Sequence, residues 1–180
     1  MKERKYIFIT LVALSLLALL SIAMGDSNHQ QEQPANNLVE TVRNAAGIYK
    51  NLSEAEAAGY GKFLGCVSGP QEGAMGVHFP NGSLVGDGLL DPMQPEVLVY
   101  EEKNGRYNLV AVEYLVLADD WNANNDSPPV LMGQVFNYVG SPNRYGMPAF
   151  YELHVWAWKT NPNGVFADWN PNVSCEGYID

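Results

Sequence analysis

Between residues 73 and 159 the chain carries five runs rich in valine, tyrosine, phenylalanine and tryptophan: GAMGVHF (73–79), EVLVYE (96–101), YNLVAVEYLVL (107–117), VLMGQVFNYV (130–139) and AFYELHVWAWK (149–159). β-Branched and aromatic side chains suit a pleated, half-buried surface. The Gly, Pro, Asn and Asp clusters between the runs supply turn and loop chemistry. No helical period separates one run from the next, so βαβ alternation is missing and the strands are expected to pair antiparallel. KNGR (103–106) joins the second run to the third, and its Asn-Gly pair is what a two-residue hairpin turn favours.

Upstream the pattern changes to helical. Leu38, Val39, Val42, Ala45, Ala46 and Tyr49 recur at helix spacing within 38–50, with Asn37 in position to cap the start. A second short helix is expected to begin at Ser53, with Glu54 and Glu56 in its first turn and Gly59 at its end. Helices first and strands afterwards define an α+β domain: short N-terminal helices packed on a strongly curved antiparallel sheet of about five strands, with a closed β-barrel as the alternative. The tail from 160 onwards, with two Asn-Pro-Asn triplets, reads as irregular chain fixed by Phe166, Trp169 and Cys175.

The first 25 residues follow the grammar of a signal peptide. Lys2, Arg4 and Lys5 precede an apolar run from Tyr6 to Met24, and small residues close it. An uncleaved N-terminal anchor is the rival reading, because the run approaches the length that spans a bilayer. Either way the expected organisation is a leader (1–25), a polar linker (26–37) and one globular domain (38–180), exported from the cytoplasm and held to a membrane, if at all, by the leader. Without the leader the chain holds 7 Lys+Arg against 19 Asp+Glu. That balance argues against nucleic acid and anionic lipid as partners, and leaves a small molecule or a metal ion. The only cysteines, Cys66 and Cys175, are expected to pair in an oxidising compartment, with a thiolate metal pair as the alternative that such a compartment disfavours.

Three polar residues stand inside apolar strand runs: His78 in GAMGVHF, Glu113 in LVAVEYLV and His154 in YELHVWAW. Strand alternation puts Glu113 on a face with Leu109, Ala111, Leu115 and Leu117, and His154 on a face with Phe150, Glu152, Trp156 and Trp158. An ionised carboxylate cannot be buried alone, so Glu113 needs a proton or a partner. Two imidazoles and a carboxylate are a common ligand set for zinc, copper or iron. A hydrogen-bonded structural cluster is the competing reading. Tyr114, Phe150, Trp156 and Trp158 are expected to line an adjoining apolar pocket, which opens a second functional class, a pocket for a small apolar ligand without metal. A metal-dependent enzyme of unknown substrate, with Tyr114 as an added polar group, is the third.

Other motifs carry less. Asp87, Asp91 and Glu96 lack the ligand spacing of an EF-hand and read as turn chemistry. Met75, Met93, Met132 and Met147 are soft donors in principle and core filler by preference. Nucleotide-binding glycine loops and the G-x-S-x-G elbow do not occur. The stretch from Ala55 to Cys175 resembles a family of small exported bacterial proteins through AEAAGY, Cys66, GAMGVHF, DGLLDPMQPEVLVYE, VAVEYLV, MGQVF and YELHVWAWKTNPNGVFADWNPNVSC. The resemblance implies a recurring set of His78, Glu113, His154 and the paired cysteines, and it attaches no activity.

Overall fold

The computed structural model describes residues 29–179, and Pro34–Asp180 makes up one compact unit. The expected leader lies outside the described residues. Helix α1 (His29–Ala46) starts well before the expected cap at Asn37, so part of the expected linker is helical. Its Leu38, Val42 and Ala46, each about one turn apart, are fully buried. A 3-10 turn (Gly47–Lys50) leads to α2 (Leu52–Ala57). The cap of α2 is Asn51 rather than Ser53: the Asn51 carboxamide oxygen accepts from the Ser53 backbone N–H at 3.3 Å. Gly59 follows the helix at φ 94°, a conformation that glycine adopts without Cβ strain. Among the described residues no helix is long and apolar enough to cross a membrane.

The strands are β1 (Phe63–Ser68), β2 (Ala74–Pro80), β3 (Val97–Lys103) and β4 (Arg106–Leu117), then the two-residue strands β5 (Val130–Leu131) and β6 (Gln134–Val135), then β7 (Asn137–Val139) and β8 (Phe150–Val155). One-turn helices α3 (Gly82–Val85) and α4 (Ala118–Asn122) lie between them. The main sheet has six strands in the order β1-β2-β3-β4-β8-β7, all neighbours antiparallel, with β5-β6 as a separate hairpin. Its edge strands β1 and β7 do not pair with each other, so the sheet is a curled half-barrel and not the closed barrel of the alternative.

Three expectations about the strands need correction. The run 130–139 is not one strand: Met132 and Gly133 take positive φ and fold it into the β5-β6 hairpin before β7 begins. The run 149–159 stops at Val155, because the Trp156 N–H bonds to the Val165 carbonyl in the tail instead of to a strand. Strand β1 lies mostly ahead of the expected sheet and forms one edge. At the β3-β4 turn the expectation and the structure agree, with Asn104 and Gly105 both at positive φ.

The tail from Trp156 to Tyr178 is irregular and crosses one face of the sheet. A single antiparallel bridge joins Ala74 to Asn170. Buried Asn161 donates to the Ala167 and Trp169 carbonyls, and buried Asn170 donates to Thr160, satisfying backbone groups that no strand serves. Trp169 lies under the Arg144 guanidinium at 5.5 Å. The tail is tied to β1 by the Cys66–Cys175 disulfide.

Candidate metal centre

The sheet buries different things on its two faces. The helix-covered face carries Val77, Leu98, Tyr100, Val112, Tyr114 and Leu153 in one cluster with Leu38, Val42 and Ala46 of α1. The other face carries two smaller apolar clusters. Val97, Leu115 and Phe150 form one; Ala74, Val99, Ala111, Trp156 and Val173 form the second. Between them the register sets a band of polar side chains. Glu113 pairs directly with His154 across β4 and β8, Glu152 pairs with Leu115, and His78 on β2 sits opposite Val99 of β3.

His78 and His154 are rooted three strand spacings apart, about 14 Å on a flat sheet. The curl of the sheet brings their side chains together. The Nε2 atoms of both rings face one carboxylate oxygen, Oε2 of Glu113, at 3.5 Å from His78 and 3.9 Å from His154. One donor atom from each of the three residues lies within 4.8 Å of the other two. The rings are 5.8 Å apart, edge to face, and His154 stacks on Trp156 at 6.2 Å.

Gly76 makes the placement of His78 possible. It holds φ 113° two residues before the histidine, and a Cβ there would stand 2.5 Å from the Tyr100 carbonyl oxygen. His78 also hydrogen-bonds the Gly76 backbone. On the far side of His154, Nδ1 faces Oδ1 of Asp168 in the tail at 4.0 Å, and Asn137 of β7 donates to that same oxygen at 3.1 Å. His154, Glu152 and Asp168 form a second convergent group.

The cluster's electrostatics are set by burial. Both nitrogens of fully buried His154 lack a hydrogen-bond partner. Burial lowers the His78 pKa to about 4 and that of His154 to about 3, the latter helped by the neighbouring His78, so both imidazoles are neutral at pH 7. Burial, then the nearby Glu152, pushes Glu113 well above the usual carboxylate range. Burial likewise raises Glu152 and Asp168. The Glu113 and Glu152 carboxyls are neighbours, and their mutual repulsion adds to the effect of burial on Glu113. Glu101, elsewhere on this sheet, is the contrast. Burial would raise it, but Lys159 at 3.0 Å and Lys103 at 3.1 Å hold it below the usual range.

A cavity of about 240 Å³ opens onto the cluster. Its polar end is made by His78, Glu113 and Glu152, with the Tyr145 hydroxyl beside it donating to Met75 Sδ at 3.6 Å. The remaining wall is apolar. His154 and Asp168 are not part of the wall and approach from behind.

Of the expected pocket residues, Phe150 lines this cavity and Trp156 packs on His154 without reaching the wall. Tyr114 and Trp158 are corrections. Tyr114 belongs to the helix-side cluster, its hydroxyl donating to the Pro92 carbonyl at 2.7 Å. Trp158 also packs on that side, under the Lys50 ammonium at 5.8 Å, because strand alternation ends at Val155. Leu109 too joins the helix side, since Val110 is an extra residue in the β3-β4 register and flips the alternation. Asp87 and Asp91 serve turns, accepting from the Leu89 and Met93 N–H groups, while Glu96 is buried and accepts from the Leu115 N–H. Of the methionines, Met75 and Met147 line the cavity and Met93 and Met132 are exposed. Glu152, Asp168 and Tyr145 were not assigned from the sequence. The alternation that placed His154 also placed Glu152 on its face, whereas nothing local marks Asp168 or Tyr145. Comparison with protein-family models, with curated proteins and with solved structures gives no match.

Proposed function

We propose that the protein binds one divalent transition metal ion, zinc, iron(II) or copper(II), through His78 Nε2, His154 Nε2 and Glu113, in an oxidising compartment outside the cytoplasm. The carrying observation is the pair of orphaned nitrogens on His154, buried beside a second imidazole and facing a carboxylate. Bonds of about 2.0 to 2.1 Å from one ion would set its ligand atoms roughly 3 to 3.4 Å apart. The separations of 3.5 and 3.9 Å therefore need closing by roughly 0.1 to 0.9 Å, within the reach of side-chain adjustment. Asp168 lies 4.0 Å behind Nδ1, not hydrogen-bonded to it, and would complete a carboxylate–histidine–metal relay, fixing a tautomer and raising ligand basicity, once the two close to hydrogen-bond distance. An ion would also supply the positive charge that Glu101 obtains from lysines and the Glu113–Glu152 pair does not. The absence of cysteine from the cluster and the two imidazoles favour borderline ions over calcium or magnesium. The Cys66–Cys175 disulfide supports the oxidising compartment.

The test is metal analysis of purified protein beside the His78→Ala/His154→Ala double variant, after equilibration with micromolar zinc and dialysis. Near one equivalent in the wild type and near zero in the variant is expected. Equal metal content in the two proteins would falsify the assignment.

A further inference from the structure

The metal reading leaves one side of the ion unassigned. His78 and Glu113 are part of the cavity wall and His154 is behind it, so an ion held by the three presents its open side to the cavity. Resting on that reading, we propose that the cavity seats a small, mainly apolar molecule with a single hydroxyl, a phenol or an alcohol, whose oxygen completes the coordination of the metal.

Size comes first. A 150 Å³ apolar cavity accommodates benzene, so 240 Å³ suits an occupant of roughly ten non-hydrogen atoms. The polarity pattern comes next. Polar atoms gather at one end, while Val97, Leu115, Met147 and Phe150 form an apolar remainder. A molecule with a polar group at each end would strand one of them against hydrocarbon. The charge pattern then selects the head group. Glu113 and Glu152 already place two carboxyls at the polar end of the cavity, and Asp168 sets a third behind His154. A carboxylate head would add like charge to a buried acidic cluster, whereas a hydroxyl adds a donor oxygen that is neutral until it binds.

The way in has the same character. Phe63 and Leu64 of β1 line the cavity and are exposed, Leu64 at 46%. Leu64 also adopts φ 60°, a left-handed backbone that a non-glycine residue rarely takes, so an apolar side chain is held at the rim against local preference.

Chelator-stripped protein reloaded with one equivalent of cobalt(II) provides the test, because cobalt reports its ligands in visible absorption. Three probes share one shape: 4-ethylphenol, 4-ethyltoluene without the hydroxyl, and 4-methylbenzylamine as a cation. 4-Ethylphenol is expected to change the cobalt spectrum and to bind the loaded protein at least tenfold more tightly than the stripped protein. 4-Ethyltoluene should bind both forms equally and leave the spectrum alone. Met147→Trp, filling the cavity at a half-buried position, should abolish phenol binding and keep one cobalt per chain. One cobalt per chain with no response to 4-ethylphenol overturns the proposal and leaves the metal reading intact. Tighter binding of 4-methylbenzylamine to stripped protein than of phenol to loaded protein overturns it in favour of a cation pocket. Failure to take up cobalt removes the metal reading and this proposal with it.

Discussion

Replacing His154 by phenylalanine should stabilise the metal-free protein while abolishing its response to metal. The magnitude follows from what the ring touches. Two buried nitrogens without partners each cost about 1 to 3 kcal/mol, and phenylalanine removes both. The aromatic stack on Trp156 is retained, since the replacement is also a planar ring attached through Cβ. Against the gain stands overpacking by the larger ring, about 1 to 3 kcal/mol in a well-filled core. The net expectation is roughly 1 to 3 kcal/mol in favour of the variant, or on the order of 2 to 10 °C in Tm for a domain of this size. Zinc should act in the opposite sense. At one hundred times Kd a ligand that binds only the folded state stabilises it by about 2.7 kcal/mol, and this increment should appear in the wild type and vanish in His154→Phe. Urea unfolding in EDTA and in excess zinc, on both proteins, measures the four values. If metal-free His154→Phe is less stable than wild type by 1 kcal/mol or more, His154 is a satisfied structural residue and the reasoning fails. Equal stabilisation of both proteins by zinc would place the ion elsewhere.

Two further outcomes are expected. Asp168→Asn keeps the contact with Asn137 within reach but removes the charge behind His154 Nδ1, and it should weaken zinc binding by about 10- to 100-fold in a chelator competition, with unfolding in EDTA changed far less. Glu96→Gln tests the buried acid behind β4, whose pKa burial raises to about 8 against 4.5 ordinarily. Between those two pH values the native state keeps a proton that the unfolded chain has lost, so stability falls as pH rises, by roughly 3 to 5 kcal/mol across the window. Glutamine can accept from the Leu115 N–H and does not ionise, so the variant should match wild type near pH 5 and exceed it by 2 kcal/mol or more at pH 8.5 in urea titrations. A constant gap across that range would refute the assignment.

Much of the fold was legible because the strands obey period two where they are regular. His78, Glu113 and His154 were singled out as polar residues in apolar runs, and the structure brings their donor atoms within 4.8 Å of one another. The failures have local causes. Trp158 was assigned a face by carrying alternation past Val155, where the Trp156 N–H leaves the sheet for Val165. Leu109 was misplaced because a one-residue bulge leaves no mark in composition. Tyr114 follows Glu113 directly, so the rule that buries Glu113 on one face sends Tyr114 to the other. Asp168 and Tyr145 lie in irregular segments whose positions depend on distant partners, Asn137 and Met75, and no periodicity reaches them.

The disulfide and the site belong to the same design. Cys66 sits on β1, the strand whose Phe63, Leu64 and Val67 wall the cavity. Cys175 sits on the tail that carries Asp168 to the back of His154. Neither segment is held strongly by pairing alone, since β1 is an edge strand with register shifts and the tail has one isolated bridge to the sheet. The sulfur link therefore joins the front wall of the cluster to its back wall. With 109 residues between its ends, the chain-entropy model assigns the link about 4 to 5 kcal/mol. That is comparable to the cost of the two orphaned imidazole nitrogens, about 2 to 6 kcal/mol together. A fold seeking stability alone would place apolar side chains in the band between Val97 and Ala111, as it does on either side. Keeping two neutral imidazoles and three carboxyls there, and cross-linking the chain around them, makes physical sense when an ion completes the cluster.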